Sequence, residues 1–307
     1  MIRPKPLKPG DMVGLIAPSG PVIQDRIPAA IASVEAMGFK VKLGESCYAA
    51  HGYLAGSDVL RARDMNDMFA DESVRGIFAM RGGYGAQRIL PMLDYEIIRR
   101  NPKPFAGYSD ITAFHVAINQ RCCFATYHSP MAATQFYEGV DDYTMDSFYR
   151  AMTDDSLVGV AIQNPIGQEM LALVPGRAEG ILTGGNLSLM ATSLGTPFEM
   201  DTKDKIIFIE DVEEEPYVID RWLTQMRNAG KFRDCAGIVL GVFSRCYASE
   251  PTRSLTLYQI FTEVLVPEDK PMVMGLACGH CMPTMTLCMG AMVHMDATRK
   301  EIVYSGH

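Results

Sequence analysis

Short apolar runs separated by amphipathic stretches organise the first half of this 307-residue chain. VGLIAP (13–18), GIFAMR (76–81), PFAGYS (104–109) and FATYHS (124–129) read as strands. Between them Ile27, Ala30, Ile31 and Val34 recur at helical spacing, and so do Ile111, Phe114, His115 and Ile118. Strands alternating with helices predict βαβ units around a parallel sheet. From Val158 to Arg177 the pattern breaks, with Gly159, Pro165, Gly167, Pro175 and Gly176 as punctuation. Beyond it, IIFIED (206–211), GIVLGVFS (237–244), PMVMGLACG (271–279) and EIVYS (301–305) form a second set of strands. Ile219, Trp222, Leu223 and Met226 make one helical stripe there, and Tyr258, Phe261, Val264 and Leu265 another. At about 150 residues per domain the length fits two. The expectation is an N-terminal α/β domain over 1–160, a linker over 161–176 and a C-terminal α/β domain over 177–307.

Two stretches raise the question of a membrane. The apolar start, Met12 to Ala17, is too short for a signal peptide and is followed by Pro18 and Gly20. Met272 to Met295 carries no charged residue apart from its histidines and is long enough to span a bilayer. Pro283, His280, His294 and several glycines and threonines argue against a lipid-facing helix, so buried strands around a site are expected.

Composition narrows the partners. Lys plus Arg number 28 against 36 Asp plus Glu, a net charge of -8, which disfavours a nucleic-acid partner held by its phosphates. The 8 cysteines show no paired framework, so a reducing, cytoplasmic setting is expected. The 21 methionines read as core filling.

Four segments carry candidate chemistry. In FAGYSDITAF (105–114) a strand meets a helix at Ser109, the arrangement that lifts a nucleophilic Oγ out of a sheet. Ile111 replaces the second glycine of the usual elbow, and an N-cap role for Ser109 or Asp110 is the plain alternative. AMRGGYGAQR (79–88) places consecutive glycines at another strand end, where backbone N–H groups can face an anion. KIIFIED (205–211) ends a buried strand in two acids on opposite faces, Glu210 and Asp211, while Glu213, Glu214 and Glu215 read as a solvated turn. GLACGHCMPT (275–284) sets His280 in a loop at a strand end, free to act as a base. Cys278, Cys281 and Cys288 lack the spacing of a metal knuckle, so no metal is expected. His115 reads as filler and His128 as either a core residue or a lining one.

The order Ser, Glu, His is that of a serine-hydrolase triad with glutamate as the orienting acid. Through LKPGDMVGLIAPSGP, RGGYGAQRILPMLD, FAGYSDITA, GGNLSLMATSLGTPFE, FIEDVEEEPYVIDRWLTQM and GHCMPTMTLCMGA, the chain resembles the murein LD-carboxypeptidase (muramoyl-tetrapeptide carboxypeptidase) family, to which the microcin-C-type immunity peptidases are related. The resemblance implies Ser109 as nucleophile, His280 as general base and acid, and Glu210 as the residue orienting the imidazole. It implies an oxyanion hole from the backbone N–H groups of Asp110 and Gly83, with Gly82 as the other choice for the latter. The implied fold is a flavodoxin-like or amidotransferase-like parallel-sheet domain followed by a smaller mixed α/β domain. The implied activity is removal of the terminal D-alanine from murein tetrapeptides during cell-wall recycling in the cytoplasm, by a homodimer without metal or cofactor. Arg81 is a candidate clamp for the substrate carboxylate, and Asn186 a substrate contact or a helix cap. The rival readings are an immunity-type peptidase acting on aminoacyl or peptidyl nucleotides and a catalytically silent binder of cell-wall peptides.

Overall fold

The computed structural model describes residues 1–306. In the first half run β1 (Met12–Ile16), α1 (Ile27–Ala36), β2 (Lys40–Leu43), α2 (Asp58–Ala70), β3 (Val74–Ala79), α3 (Ala86–Ile89), α4 (Tyr95–Arg100), β4 (Phe105–Gly107), α5 (Thr112–Cys122), β5 (Thr126–His128) and α6 (Asp142–Thr153). In the second run β6 (Leu171–Val174), β7 (Arg177–Asn186), α7 (Leu187–Thr192), β8 (Lys205–Val212), α8 (Pro216–Asn228), β9 (Gly237–Ser244), α9 (Leu257–Val264), β10 (Met272–Gly279), β11 (Leu287–Met289), β12 (Met292–Asp296) and β13 (Glu301–Gly306).

These elements sort into two units, Met1–Ser156 with Met285–Gly290, and Leu157–Thr284 with the chain from Ala291 onward. Both edges differ from the expected division. The chain changes unit at Ser156, and the expected 161–176 linker contains β6, which pairs antiparallel with β10. Met285–Gly290 returns to the first unit because β11 pairs antiparallel with β5, Leu287 opposite His128. A three-residue strand recruited from so far along the chain leaves no local signal.

The first unit's sheet has the order β11-β5-β4-β3-β1-β2, parallel except for β11. From β2 to β5 this is the flavodoxin-like order, which reverses direction between β1 and β3. The central strands are nearly continuous apolar runs, as sheets covered on both faces require. Phe105 of β4 packs on Phe69 and Phe114 with ring centres 6.1 and 6.0 Å apart. Ser57, Asp94 and Asp141 cap α2, α4 and α6 by accepting first-turn N–H groups. α5 is buried on nearly every side rather than amphipathic.

The second unit's sheet has the order β13-β12-β7-β8-β9-β10-β6, with β7 to β10 parallel and antiparallel strands at both edges. α8 buries Ile219, Leu223 and Met226 as its spacing predicts. In α9, Ile260 joins Phe261 and Val264 inside while Tyr258 stays exposed. The uncharged stretch from Met272 forms β10, β11 and β12. Among the described residues no helix is long and apolar enough to cross a membrane.

Candidate active site

In an open parallel sheet, ligands collect beyond the carboxyl ends of the strands where the order reverses. Three loops of the first unit leave that edge, after β1, β3 and β4. Ser109 begins the turn after β4 with φ 66, a left-handed conformation costing a serine on the order of 1–3 kcal/mol. The neighbourhood holds it there. Gly107, the last residue of β4, accepts the Ser129 N–H at 3.1 Å and His115 Nε2 at 2.8 Å. Burial pulls the His115 imidazole down to about 3, so the ring is neutral and Nε2 carries the donated hydrogen. A residue that reads as filler is thus a backbone support for the elbow.

The glycine loop after β3 lies against the serine. A Cβ on Gly82 would fall 2.8 Å from Ser109 Cβ and 3.0 Å from its Oγ, so a residue with any side chain cannot approach this closely. The Gly82 carbonyl accepts the Gly20 N–H at 3.0 Å, joining this loop to the one after β1. Gly83 follows at φ 112, conformationally open only to glycine. Arg81 donates to the Pro21 carbonyl at 3.1 Å, with its guanidinium packed beside Gly20 and Gly83. The Asp110 side chain is buried and accepts the Ala86 N–H at 2.8 Å. Burial pushes its carboxyl up to about 6, against the Ser19 hydroxyl, that N–H and the Arg61 charge, which favour ionisation.

In the second unit, β8 delivers the two acids, and both are buried, Glu210 at 0% and Asp211 at 1% exposure. Their partners separate them. Glu210 Oε2 accepts His280 Nδ1 at 2.6 Å and the His280 backbone N–H at 3.2 Å. Asp211 accepts Asn186 Nδ2 at 2.8 Å, the Ser188 N–H at 3.0 Å and the Val212 N–H at 2.8 Å. Glu210 is therefore the acid that faces the histidine, while Asp211 fixes the start of α7. Donation from Nδ1 leaves Nε2 of a neutral His280 as the basic nitrogen. Gly279, at φ 118, lets the loop close on the acid, since a Cβ there would sit 2.7 Å from Glu210 Oε2. The Ser244 hydroxyl holds the His280 carbonyl from β9.

The other candidates have defined surroundings. Asn186 caps α7, its Oδ1 accepting the Leu189 N–H at 3.3 Å and the Ser188 hydroxyl at 2.6 Å. Burial raises the Cys278 thiol well above its ordinary range and Cys281 to about 11, so neither is a thiolate near neutrality. Among the described residues no group of three His, Cys, Asp or Glu side chains converges on a metal position. His128 is buried, its ring centre 5.6 Å from Tyr108 and 6.4 Å from His115. The acids after β8 are partly engaged, Glu213 with Arg245 and Glu215 with the Ser249 N–H. The sequence marks Gly279 as a flank of the candidate histidine, without its closeness to Glu210, and gives no sign of the buried Arg61.

Ser109 lies inside the match to the LD-carboxypeptidase N-terminal domain, which spans residues 13–129, and Glu210 and His280 inside the match to the C-terminal domain, 179–295. The probable murein peptide carboxypeptidase of Bacillus subtilis (strain 168) is 40% identical over 98% of this chain and 93% of its own length. The chain belongs to the S66 carboxypeptidase family. Proteins with other names are similar too. The microcin C7 self-immunity protein MccF of Escherichia coli is 26% identical over 97% of this chain and 94% of its own. The structure of MccF in complex with glutamyl sulfamoyl guanosine has the same fold, with TM-score 0.92 at 24% identity over 100% of this chain and 99% of that one. A muramoyltetrapeptide carboxypeptidase from Oxalobacter formigenes aligns with TM-score 0.82 at 27% identity, over 95% of this chain and 97% of that one. As an S66 protein the chain is a hydrolase of the carboxypeptidase class.

Proposed function

We propose that this carboxypeptidase is a serine-type LD-carboxypeptidase that removes the terminal D-alanine from murein tetrapeptides. It would act in the cytoplasm, as a homodimer, on recycled cell-wall peptides. The observation that carries the reading is the left-handed φ of 66 at Ser109, strain kept at the residue whose Oγ is to attack. In the proposed reaction His280 Nε2 takes the Ser109 proton as Oγ adds to the scissile carbonyl, and Glu210 steadies the imidazolium through Nδ1. The Asp110 and Gly83 N–H groups face the oxyanion. His280 then protonates the leaving amine of D-alanine, and water, deprotonated by the same imidazole, releases the shortened peptide from the acyl-enzyme. Arg81 would meet the free carboxylate. Asn186 is proposed only as a distant support, through Asp211.

Mass spectrometry of a purified murein tetrapeptide, incubated with wild type and with Ser109→Ala, tests this. Loss of one alanine mass with wild type alone is expected. Equal cleavage by both proteins removes Ser109 from the mechanism. The similarity to MccF favours a second reading, hydrolysis of an aminoacyl nucleotide. Glutamyl sulfamoyl guanosine in the same assay separates the two, since a tetrapeptide left intact while this compound is cleaved decides for the second.

A further inference from the structure

Arg61 of α2 is fully buried, although nothing in its immediate sequence, LRARD, distinguishes it from a solvated helix face. A buried guanidinium is costly, the more so here because the Arg61 Nε–H has no partner, and an unbranched apolar residue would fill the same volume. What arginine adds is a rigid fork. Nη1 donates to two carbonyls on different loops, Pro18 after β1 at 2.6 Å and Gly85 after β3 at 2.8 Å. Nη2 donates to Asp58 at 2.5 Å, itself gripped from outside by Arg88 at 2.8 Å. The close approach of the fork admits no side chain at Gly85, where a Cβ would lie 2.7 Å from Arg61 Nη1 and from Leu54. One residue further on, the Ala86 N–H is held by Asp110 at 2.8 Å. The glycine loop is thus fastened at its far end by a cation on its last carbonyl and a carboxylate on the next N–H.

We infer that Arg61 is a positioning residue for hydrolysis, its fork locking the loop of Gly82 to Gly85 to the loop after β1 so that the N–H groups facing the oxyanion are fixed before substrate arrives. The inference rests on the carboxypeptidase reading above for its kinetic effect, though not for the brace itself. Arg61→Met and Arg61→Lys, made in the full chain, are compared with wild type by kcat, KM, thermal midpoint and amide hydrogen exchange. Arg61→Met is expected to lower kcat by about a hundredfold with KM little changed, the scale of a small misplacement of a catalytic group. Amide exchange at residues 82–86 should accelerate while β1, β3 and β4 keep their protection. Arg61→Lys should recover part of both, because one ammonium reaches one carbonyl well. Wild-type exchange and kcat in folded Arg61→Met overturn the inference. So does an exchange increase spread evenly over the unit, which would make Arg61 a plain stability residue. Should wild type cleave no peptide, the carboxypeptidase reading falls, and exchange at 82–86 still decides the brace.

Discussion

The two units hold their reactive groups in different ways. In the first, Ser109 is placed by backbone: a left-handed φ, a glycine with its Cα against the serine, and a neutral histidine on the strand's last carbonyl. In the second, His280 is placed by charge, a fully buried carboxylate at 2.6 Å from its ring nitrogen. A backbone device excludes volume, so adding one carbon should break it. A charge device orients a proton, so an isosteric change that removes the charge should break it with no change of shape. The contrast also separates Glu210 from its neighbour Asp211, which is equally buried but spends its oxygens on N–H groups of the fold.

The largest effect is expected for Glu210→Gln. The amide preserves volume but can present its NH2 to His280, favouring the tautomer with its hydrogen on Nε2. A loss of kcat on the order of 10⁴-fold follows, with the fold retained. Steady-state kinetics beside a thermal melt checks it, and near-normal turnover would refute the orienting role. Next comes Gly82→Ala. Its Cβ, 2.8 Å from Ser109 Cβ, forces loop and serine apart, and a displacement of that kind lowers kcat by about a hundredfold. Labelling of Ser109 by a fluorophosphonate should slow in parallel. If labelling and turnover stay at wild-type rates, the close approach is not what places the serine.

Part of this contrast is legible in the sequence. β9 coincides with its apolar run, 237–244, because a central parallel strand is buried on both faces and needs no alternation. β7 escapes because Gly184 and Gly185, at φ 112 and 139, interrupt the apolar run that marks a strand. Alternation correctly puts Glu210 and Asp211 on opposite faces, yet it suggests that only one turns inward. Both are buried since α7 starts beside Asp211, a contact from residues 25 positions away. The elbow is visible as a strand-to-helix turn, whereas the sign of φ at Ser109 depends on Gly82, which arrives from the end of β3, and on Ser129 and His115, which hold the Gly107 carbonyl. Arg61 is illegible for the same reason, as both of its carbonyl partners are non-local.

Asp211→Asn sharpens the comparison with the smallest effect. An asparagine offers one oxygen and an NH2 where three donors converge, so at least one N–H loses its acceptor, at a cost of about 1–3 kcal/mol in stability. Turnover should change far less than in Glu210→Gln. The pH dependence identifies the cause. Burial, followed by the Glu210 charge, pushes the Asp211 carboxyl up to about 6, while the Val212 N–H, Asn186 and the Ser188 N–H oppose the shift. In the unfolded chain an aspartate titrates near pH ~3.9. Between those values the folded chain keeps a proton that the unfolded chain has released. The contribution of Asp211 to stability is therefore complete below the lower value and declines as pH rises through the higher one. Asparagine does not titrate, so the variant lacks this slope. Its deficit in thermal midpoint should be greatest near pH ~4 and shrink towards pH ~7. Asp110 in the first unit shifts in the same direction, so a weaker slope persists in the variant. A deficit that widens with pH would mean that Asp211 is stabilised as a carboxylate, making it a second charge device beside Glu210.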